Sequence, residues 1–129
     1  MKYLKKISAL ALAAALSLTV LGSGTDASAF TKTKNGLTLK GESSIAKTKG
    51  SAWGSVSPKS YLSIASFYKY KNKSGVIKTV PTDLTGAGDS AGASWSYTLA
   101  SGCVSKRIDT RWTGIYNNRS VIQEETITY

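Results

Sequence analysis

The amino-acid sequence predicts an all-β fold, a small antiparallel β-sandwich. After residue 29, no segment repeats its apolar residues with the 3.6-residue period of an amphipathic helix. Short runs instead alternate β-branched or aromatic residues with polar ones, and Gly, Pro and Asn separate these runs. Six to eight such runs fit two packed sheets. An immunoglobulin-like strand order is one form of this fold, and a small β-barrel is the alternative.

The beginning of the chain has the pattern of a secretory signal peptide. Three lysines lie among the first six residues, residues 7–21 are almost all apolar, and Ala27-Ser28-Ala29 is an A-x-A cleavage site. The apolar run is shorter than the roughly 20 residues that cross a bilayer as a helix. We therefore expect residues 1–29 to be a signal peptide and residues 30–129 to be a single secreted, extracellular β-domain.

The first half of this domain contains strands of unequal strength. Residues 30–35 are polar and rich in Lys and Thr, so we expect a frayed end. Leu37–Glu42 and Ala52–Val56 predict short, weak strands, whereas Tyr61–Lys71 predicts a stronger one. Alternation along this stronger strand places Leu62, Ile64, Tyr68 and Tyr70 on one face and Tyr61, Ala65 and Phe67 on the other.

A turn at residues 72–75 leads from this strand into Val76–Val80. A four-residue loop would place Lys69 opposite Lys78, which is unfavourable. A three-residue loop with Gly75 in the left-handed conformation pairs Tyr70 with Lys78 and Tyr68 with Val80 instead. The second register is therefore predicted.

Further strands follow a proline. Pro81 cannot donate to the sheet hydrogen bonds, so we expect it to end its strand, and residues 82–92 form a loop. Ala93–Leu99 alternates apolar and polar residues as a half-buried strand does, and Ser101-Gly102 breaks it.

The last part of the chain predicts a β-hairpin. Residues 104–116 and 119–129 flank Asn117-Asn118, and Asn tolerates the positive φ that a two-residue type I′ turn requires. The pairs expected from this register are Arg111 with Glu124 and Ile108 with Ile127, and Trp112, Tyr116 and Val121 share the face of the isoleucines.

Positive charge is concentrated in the first half of the domain. Residues 30–129 retain fourteen of the seventeen Lys and Arg residues and six of the seven Asp and Glu residues, which leaves a net charge of +8. Residues 30–80 carry ten lysines against Glu42 alone, whereas residues 81–129 have a net charge of −1. Such a charge favours anionic partners.

The candidate binding residues lie at the tip of the first hairpin. Lysines there alternate with aromatic rings, so a polyanion would be attracted with an affinity that falls as salt rises. The expected partner of an exported protein is an anionic cell-wall polymer, a polysaccharide or a membrane surface, and nucleic acid is not expected as the primary partner. In the alternative interpretation the lysines are solvated and protect a sheet edge. The candidate residues are Lys69, Tyr70, Lys71, Lys73 and Lys78.

Cys103 is the only cysteine, so the domain has no internal disulfide. We interpret it as a small apolar residue near the start of a strand, in a monomer. The alternative is an intermolecular disulfide through Cys103 that links two chains.

Enzymatic chemistry has few candidates, and we predict that the protein is not an enzyme. Gly88-Asp89-Ser90 resembles the nucleophile segment of trypsin-like proteases, which implies Ser90 as nucleophile, but the chain contains no histidine to act as its base. Glu124 and Glu125 are adjacent on a predicted strand and point to opposite faces, so they cannot act as a catalytic pair. No metal site and no cofactor are expected, since Asp83 and Asp89 fit solvated loop residues.

The three tryptophans are candidates for carbohydrate binding. Trp53, Trp95 and Trp112 could line a sugar-binding face, but tryptophan at inward strand positions is more typical of a core.

In size, Lys, Tyr and Trp content and β pattern, the chain is similar to small secreted proteins of Gram-positive bacteria, including some β-sandwich bacteriocins. We expect a secreted, non-enzymatic, basic β-domain that binds an anionic or carbohydrate component of the bacterial cell envelope. The alternative is a bacteriocin-like secreted antimicrobial protein that acts on neighbouring cells, and a small hydrolase ranks third.

Overall fold

A computed structural model describes residues 26–58, 60–86 and 92–129, which form two packed antiparallel sheets. One sheet has the order β1-β2-β3-β6 and the other β5-β4-β7-β8. The strands are β1 (Asp26–Lys34), β2 (Leu37–Ala46), β3 (Lys49–Ser57), β4 (Tyr61–Lys71), β5 (Ile77–Gly86), β6 (Ala93–Thr98), β7 (Val104–Tyr116) and β8 (Arg119–Thr128).

The predicted β-sandwich is confirmed, and the barrel alternative is wrong because the two sheets do not close on each other. The strand order also differs from that of an immunoglobulin domain. In that fold strands A, B, E and D share a sheet, whereas here the first three strands form a meander and the sixth joins them.

Two buried clusters fill the space between the sheets. Trp112 lies at the centre of the first and is fully buried. Gly41 and Gly54 leave room for its indole, since a methyl group at either position would lie 2.6 Å from an indole atom. The indole N–H donates to the backbone oxygen of Trp53 at 2.9 Å. The ring of Phe30 packs edge-on against Trp112, with the ring centroids 4.7 Å apart.

The second cluster lies toward the other end of the sandwich. It is built around Tyr68 and Ile108, which are both fully buried. Ile45, Leu99, Cys103 and Ile127 complete its buried set, and Tyr70, Val80 and Trp95 pack against it.

Both predicted hairpin registers are confirmed. Tyr70 pairs with Lys78 and Tyr68 with Val80, and Gly75 has the predicted left-handed conformation, with φ of 85°. In the second hairpin Asn117 and Asn118 have φ of 48° and 63°, as a type I′ turn requires. Arg111 lies opposite Glu124 and Ile108 opposite Ile127, and Trp112, Val121 and Ile127 are buried on the inner face.

Four sequence-based expectations about strand limits are wrong. The strand predicted at Ala52–Val56 extends in both directions, since β3 runs from Lys49 to Ser57. Residues 30–35 are not frayed, because β1 pairs with β2 from Asp26 to Lys34. The strand β2 continues past Glu42 to Ala46. Pro81 does not end its strand, since β5 runs on to Gly86 with Pro81 opposite Phe67. A proline is tolerated in β5 because this is an edge strand, where every second N–H points away from the neighbouring strand and has no ladder partner to lose.

The predicted signal peptide lies mostly outside the described residues. Its last residues, 26–29, belong to β1 and pair with residues 42–45 of β2. Cleavage after Ala29 would therefore shorten β1 and leave Phe30 in place on the core. Within the described part of the chain, no helix is long and apolar enough to span a membrane.

Candidate binding surface

The five candidate residues of the first hairpin divide between the two faces of their sheet. Tyr70 packs against the second core cluster, so it lies on the inner face, and Lys78 directly opposite shares that face at the sheet edge. Lys69 and Lys71 alternate with Tyr70 and therefore project from the outer face. Lys73 lies in the turn itself. The hairpin thus presents lysines on both sides and at its tip.

Hydrogen bonds within the turn hold this tip in place. The side-chain oxygen of Asn72 accepts from the backbone N–H groups of Ser74 and Val76, each at 2.9 Å. The backbone of Asn72 also bonds Val76 at 2.8 Å and Gly75 at 2.9 Å. An Asn side chain that satisfies the backbone of its own turn is a common way to stabilise a short loop.

A second turn brings further lysines to the same end of the sandwich. Lys47 lies between β2 and β3, and its carbonyl accepts from the N–H of Ser105 at 2.8 Å. Thr48 accepts from Leu99 at the same distance. Lys49 begins β3. These bonds fix the β2–β3 turn against the start of β7, which pairs with the end of β4.

The start of β7 supplies two more cations. Arg107 pairs with Lys69, and the register then shifts so that Ser105 faces Tyr70, which leaves Lys106 at a bulge. The carbonyl of Lys106 accepts from the N–H of Tyr129 at 3.0 Å.

We call this group of eight cations the basic end. It includes eight of the thirteen Lys and Arg residues that the structure describes. Its members are Lys47, Lys49, Lys69, Lys71, Lys73, Lys78, Lys106 and Arg107. The amino-acid pattern predicts only the lysines of the hairpin, because no local pattern shows that the β2–β3 turn and the start of β7 lie beside it.

Two acidic side chains lie at this end, and one of them is in contact with the cations. Asp109 accepts from the Arg107 Nε at 3.0 Å and from the Thr126 hydroxyl at 2.6 Å. Burial raises the pKa of Asp109, but these hydrogen bonds and the charges of Arg107 and Lys69 outweigh it and hold the pKa below its ordinary value. The other acidic side chain, Asp26 at the start of β1, precedes the predicted cleavage point.

A buried pair of hydroxyls connects the two sheets beneath the basic end. The Ser105 hydroxyl donates to the carbonyl of Ala46 at 2.5 Å. Because its proton is used there, the Tyr68 hydroxyl donates to Ser105, at 2.6 Å. Tyr68 and Ser105 are both fully buried, and burial raises the pKa of Tyr68. This relay holds the last residue before the Lys47 turn against β7.

The three tryptophans do not form one surface. Trp112 is in the core, and Trp95 is half-buried with its indole N–H donating to the Ser66 hydroxyl at 3.1 Å. Trp53 alone lies on an outer face, where its N–H donates to Glu42 at 3.3 Å. Burial raises the pKa of Glu42, and the Trp53 bond lowers it by less.

The other candidate groups are dispersed. Ser90 and Asp89 lie outside the described residues. Glu124 forms an exposed ion pair with Arg111 at 2.6 Å, while Glu125 accepts from the Ser28 hydroxyl at 2.8 Å. Cys103 is only 8% exposed within the second cluster, which agrees with an apolar packing role, and the disulfide between chains stays a prediction. Among residues 26–58, 60–86 and 92–129, no three His, Cys, Asp or Glu side chains are grouped as a metal ion would require.

No protein-family model matches the chain, and no curated protein matches it at a significant level.

Proposed function

We propose that this protein is an exported, non-enzymatic domain whose basic end binds an anionic component of the bacterial cell envelope. The observation that carries this proposal is the convergence of eight cations from three separate chain segments, the β2–β3 turn, the β4–β5 hairpin and the start of β7.

Clustered cations attract a polyanion more strongly than the same charges spread over the surface. Their potentials add, and a bound polymer releases the counterions that it held in solution. Binding that depends on this release weakens steeply as salt is added, in proportion to the number of contacts. The basic end therefore predicts retention with a strong salt dependence.

The choice of lysine also favours a polymer rather than one specific small anion. Seven of the eight cations are lysines, and Arg107, the single arginine, is already bonded to Asp109. Lysine acts as a mobile point charge, whereas the fork of arginine recognises one carboxylate or phosphate with fixed geometry. Envelope polyanions such as teichoic acids and acidic lipid headgroups present repeated charges without one fixed geometry.

Protection of a sheet edge does not account for the whole cluster. Lys78 lies on the edge strand β5, where a lysine discourages pairing with another chain. Lys47 is in a turn, and Lys49 is on β3, which pairs with a neighbour on each side. These two lysines have no edge to protect, so their position beside the hairpin supports a binding role.

Salt-graded retention on purified cell walls tests the proposal. The substitutions K69Q, K71Q, K73Q and K78Q together should abolish salt-sensitive retention. K47Q with K49Q should weaken it by several fold, although these residues are distant from the hairpin in sequence. The matched control is K34Q with K40Q, which removes the same charge from residues of similar exposure outside the basic end.

Two results would contradict the proposal. One is an equal loss of retention for K47Q with K49Q and for K34Q with K40Q, which would show that only net charge matters. The other is unchanged retention of the hairpin variant at low salt. Walls stripped of teichoic acid show whether the polymer or the underlying glycan is bound.

A further inference from the structure

The tip of the basic hairpin carries two exposed aliphatic side chains. Val76 and Ile77 are 50% and 51% exposed, and every residue from Lys73 to Thr79 is exposed. Isolated apolar residues are common on protein surfaces. Here, however, two are adjacent in sequence, where the turn of residues 73–75 leads into β5. Successive residues of a strand point to opposite faces, so Val76 and Ile77 flank the tip on its two sides.

These side chains are presented by an ordered turn. The N–H of Val76 donates to the Asn72 side chain, its carbonyl accepts from the Asn72 N–H, and Ile77 pairs with Lys71. A methyl group added at Gly102 would lie 2.9 Å from the Cβ of Lys73, so the neighbouring turn supports the tip from one side. Little conformational freedom remains to be lost when the tip meets a partner.

Lysines lie next to both aliphatic residues on either side of the hairpin. Lys71 lies directly across from Ile77, Lys78 follows it along the strand, and Lys73 is in the turn. Exposed aliphatic side chains with lysines on both sides of the hairpin match the surface of an anionic bilayer, where acidic headgroups lie above an apolar layer. Lysines can extend toward the headgroups while their methylene stems follow the aliphatic side chains inward.

We infer that Val76 and Ile77 insert into the interface of an anionic phospholipid bilayer while the surrounding lysines bind its acidic headgroups. This inference rests on the proposed function, and it names the envelope component that the basic end meets. A soluble polyanion offers no apolar layer and leaves both side chains in water. Protection of the β5 edge explains Lys78 but not two aliphatic residues beside it, since an exposed apolar edge promotes aggregation.

Binding to vesicles and to a soluble polyanion separates the two contributions. The probes are vesicles of equal parts phosphatidylglycerol and phosphatidylcholine, vesicles of phosphatidylcholine alone, and polyphosphate. Cells that express the full chain supply each protein, and N-terminal sequencing establishes that all variants begin at the same residue. V76S with I77S removes the aliphatic pair, and K71Q, K73Q and K78Q together remove the lysines.

The matched control is I115S with I122S. Ile115 and Ile122 are 40% and 42% exposed, and they lie on the outer face of β7 and β8, away from the tip. Hydrogen exchange of amides 73–78 provides a local measurement that does not depend on how another segment meets the vesicle.

We expect V76S with I77S to weaken binding to the mixed vesicles roughly tenfold, as partial burial of two aliphatic side chains predicts. Binding of polyphosphate should not change. The affinity of the lysine variant for mixed vesicles should fall about fivefold for each lysine removed, and its affinity for polyphosphate should fall as well. Mixed vesicles should slow exchange at the tip, and phosphatidylcholine vesicles should not.

Other outcomes identify which idea fails. If V76S with I77S binds mixed vesicles as the unmodified protein does, the insertion is wrong and the proposed function stands. If V76S with I77S also weakens the binding of polyphosphate, the tip contacts polymer rather than lipid, which also overturns the insertion. If the lysine variant keeps its polyphosphate affinity, the proposed function itself fails.

Discussion

Removal of one hydroxyl from the buried relay gives the sharpest test of how the basic end is held together. The relay runs from Tyr68 through Ser105 to the Ala46 carbonyl, with distances of 2.6 and 2.5 Å. Y68F removes one buried hydrogen bond and leaves Ser105 bonded to Ala46. It should lower the free energy of unfolding by about 1 kcal/mol.

S105A has a larger expected effect because it removes the middle of the relay. It loses the bond to Ala46, worth about 1 kcal/mol, and leaves the Tyr68 hydroxyl buried without a partner, which costs a further 1–3 kcal/mol or so. In the double variant, Y68F with S105A, no hydroxyl is left unsatisfied at position 68. Its expected loss is therefore about 2 kcal/mol, which is less than the sum of the two single losses.

Urea unfolding followed by tryptophan fluorescence measures all three variants. For a domain of this size each kcal/mol corresponds to roughly 4–8 °C in the thermal midpoint, so a thermal scan provides a second reading. Y61F is the control, since the Tyr61 side chain is 42% exposed and its hydroxyl can bond to water. Additive losses, or an S105A loss no larger than that of Y68F, would refute the relay.

Three further substitutions test the core, a buried carboxyl group and the surface. G54A places a methyl group 2.6 Å from the Trp112 ring and should cost about 1–3 kcal/mol of unfolding free energy; an unchanged urea midpoint would contradict this. Burial raises the pKa of Glu42, so its native state binds a proton more tightly, and stability should fall as pH rises from below the ordinary value of 4.5 through the folded-state value. E42Q should remove this decline in urea titrations at several pH values, and superimposable pH profiles would show that Glu42 titrates normally. R111A breaks an exposed pair with Glu124 and should cost less than about 1 kcal/mol, so a loss of several kcal/mol would be inconsistent with an exposed pair.

The parts of the fold that the sequence predicts well are local. The β7–β8 hairpin follows from a turn of two asparagines and from charge and apolar pairs that agree in one register. The β4–β5 register follows from avoiding a Lys69–Lys78 pair and from the conformational freedom of Gly75. Both depend on residues that are neighbours in the chain.

The errors arise where distant segments determine the structure. The polar segment at residues 30–35 is ordered because β2 pairs with it and Phe30 packs on Trp112. Pro81 continues its strand because β5 lies at a sheet edge. Neither the pairing partner nor the edge position is visible in the local sequence.

The candidate surface was only half predicted for the same reason. The basic and aromatic pattern of the hairpin is local, so it is visible in the sequence. Lys47 and Lys49 join it only because the β2–β3 turn bonds to Ser105, and Arg107 joins because β7 pairs with β4. These contacts connect residues that are far apart in the chain.

The most direct test of a shared basic end is a map of backbone amide shifts as a teichoic acid is added to the isotope-labelled protein. We expect the amides of residues 47–49, 71–78 and 106–107 to shift together, with one common affinity that weakens as salt rises. Residues 35–36 and 117–118, in the turns at the opposite end, should stay unchanged. Shifts confined to the hairpin, or spread evenly over both ends, would contradict a binding surface built from three chain segments.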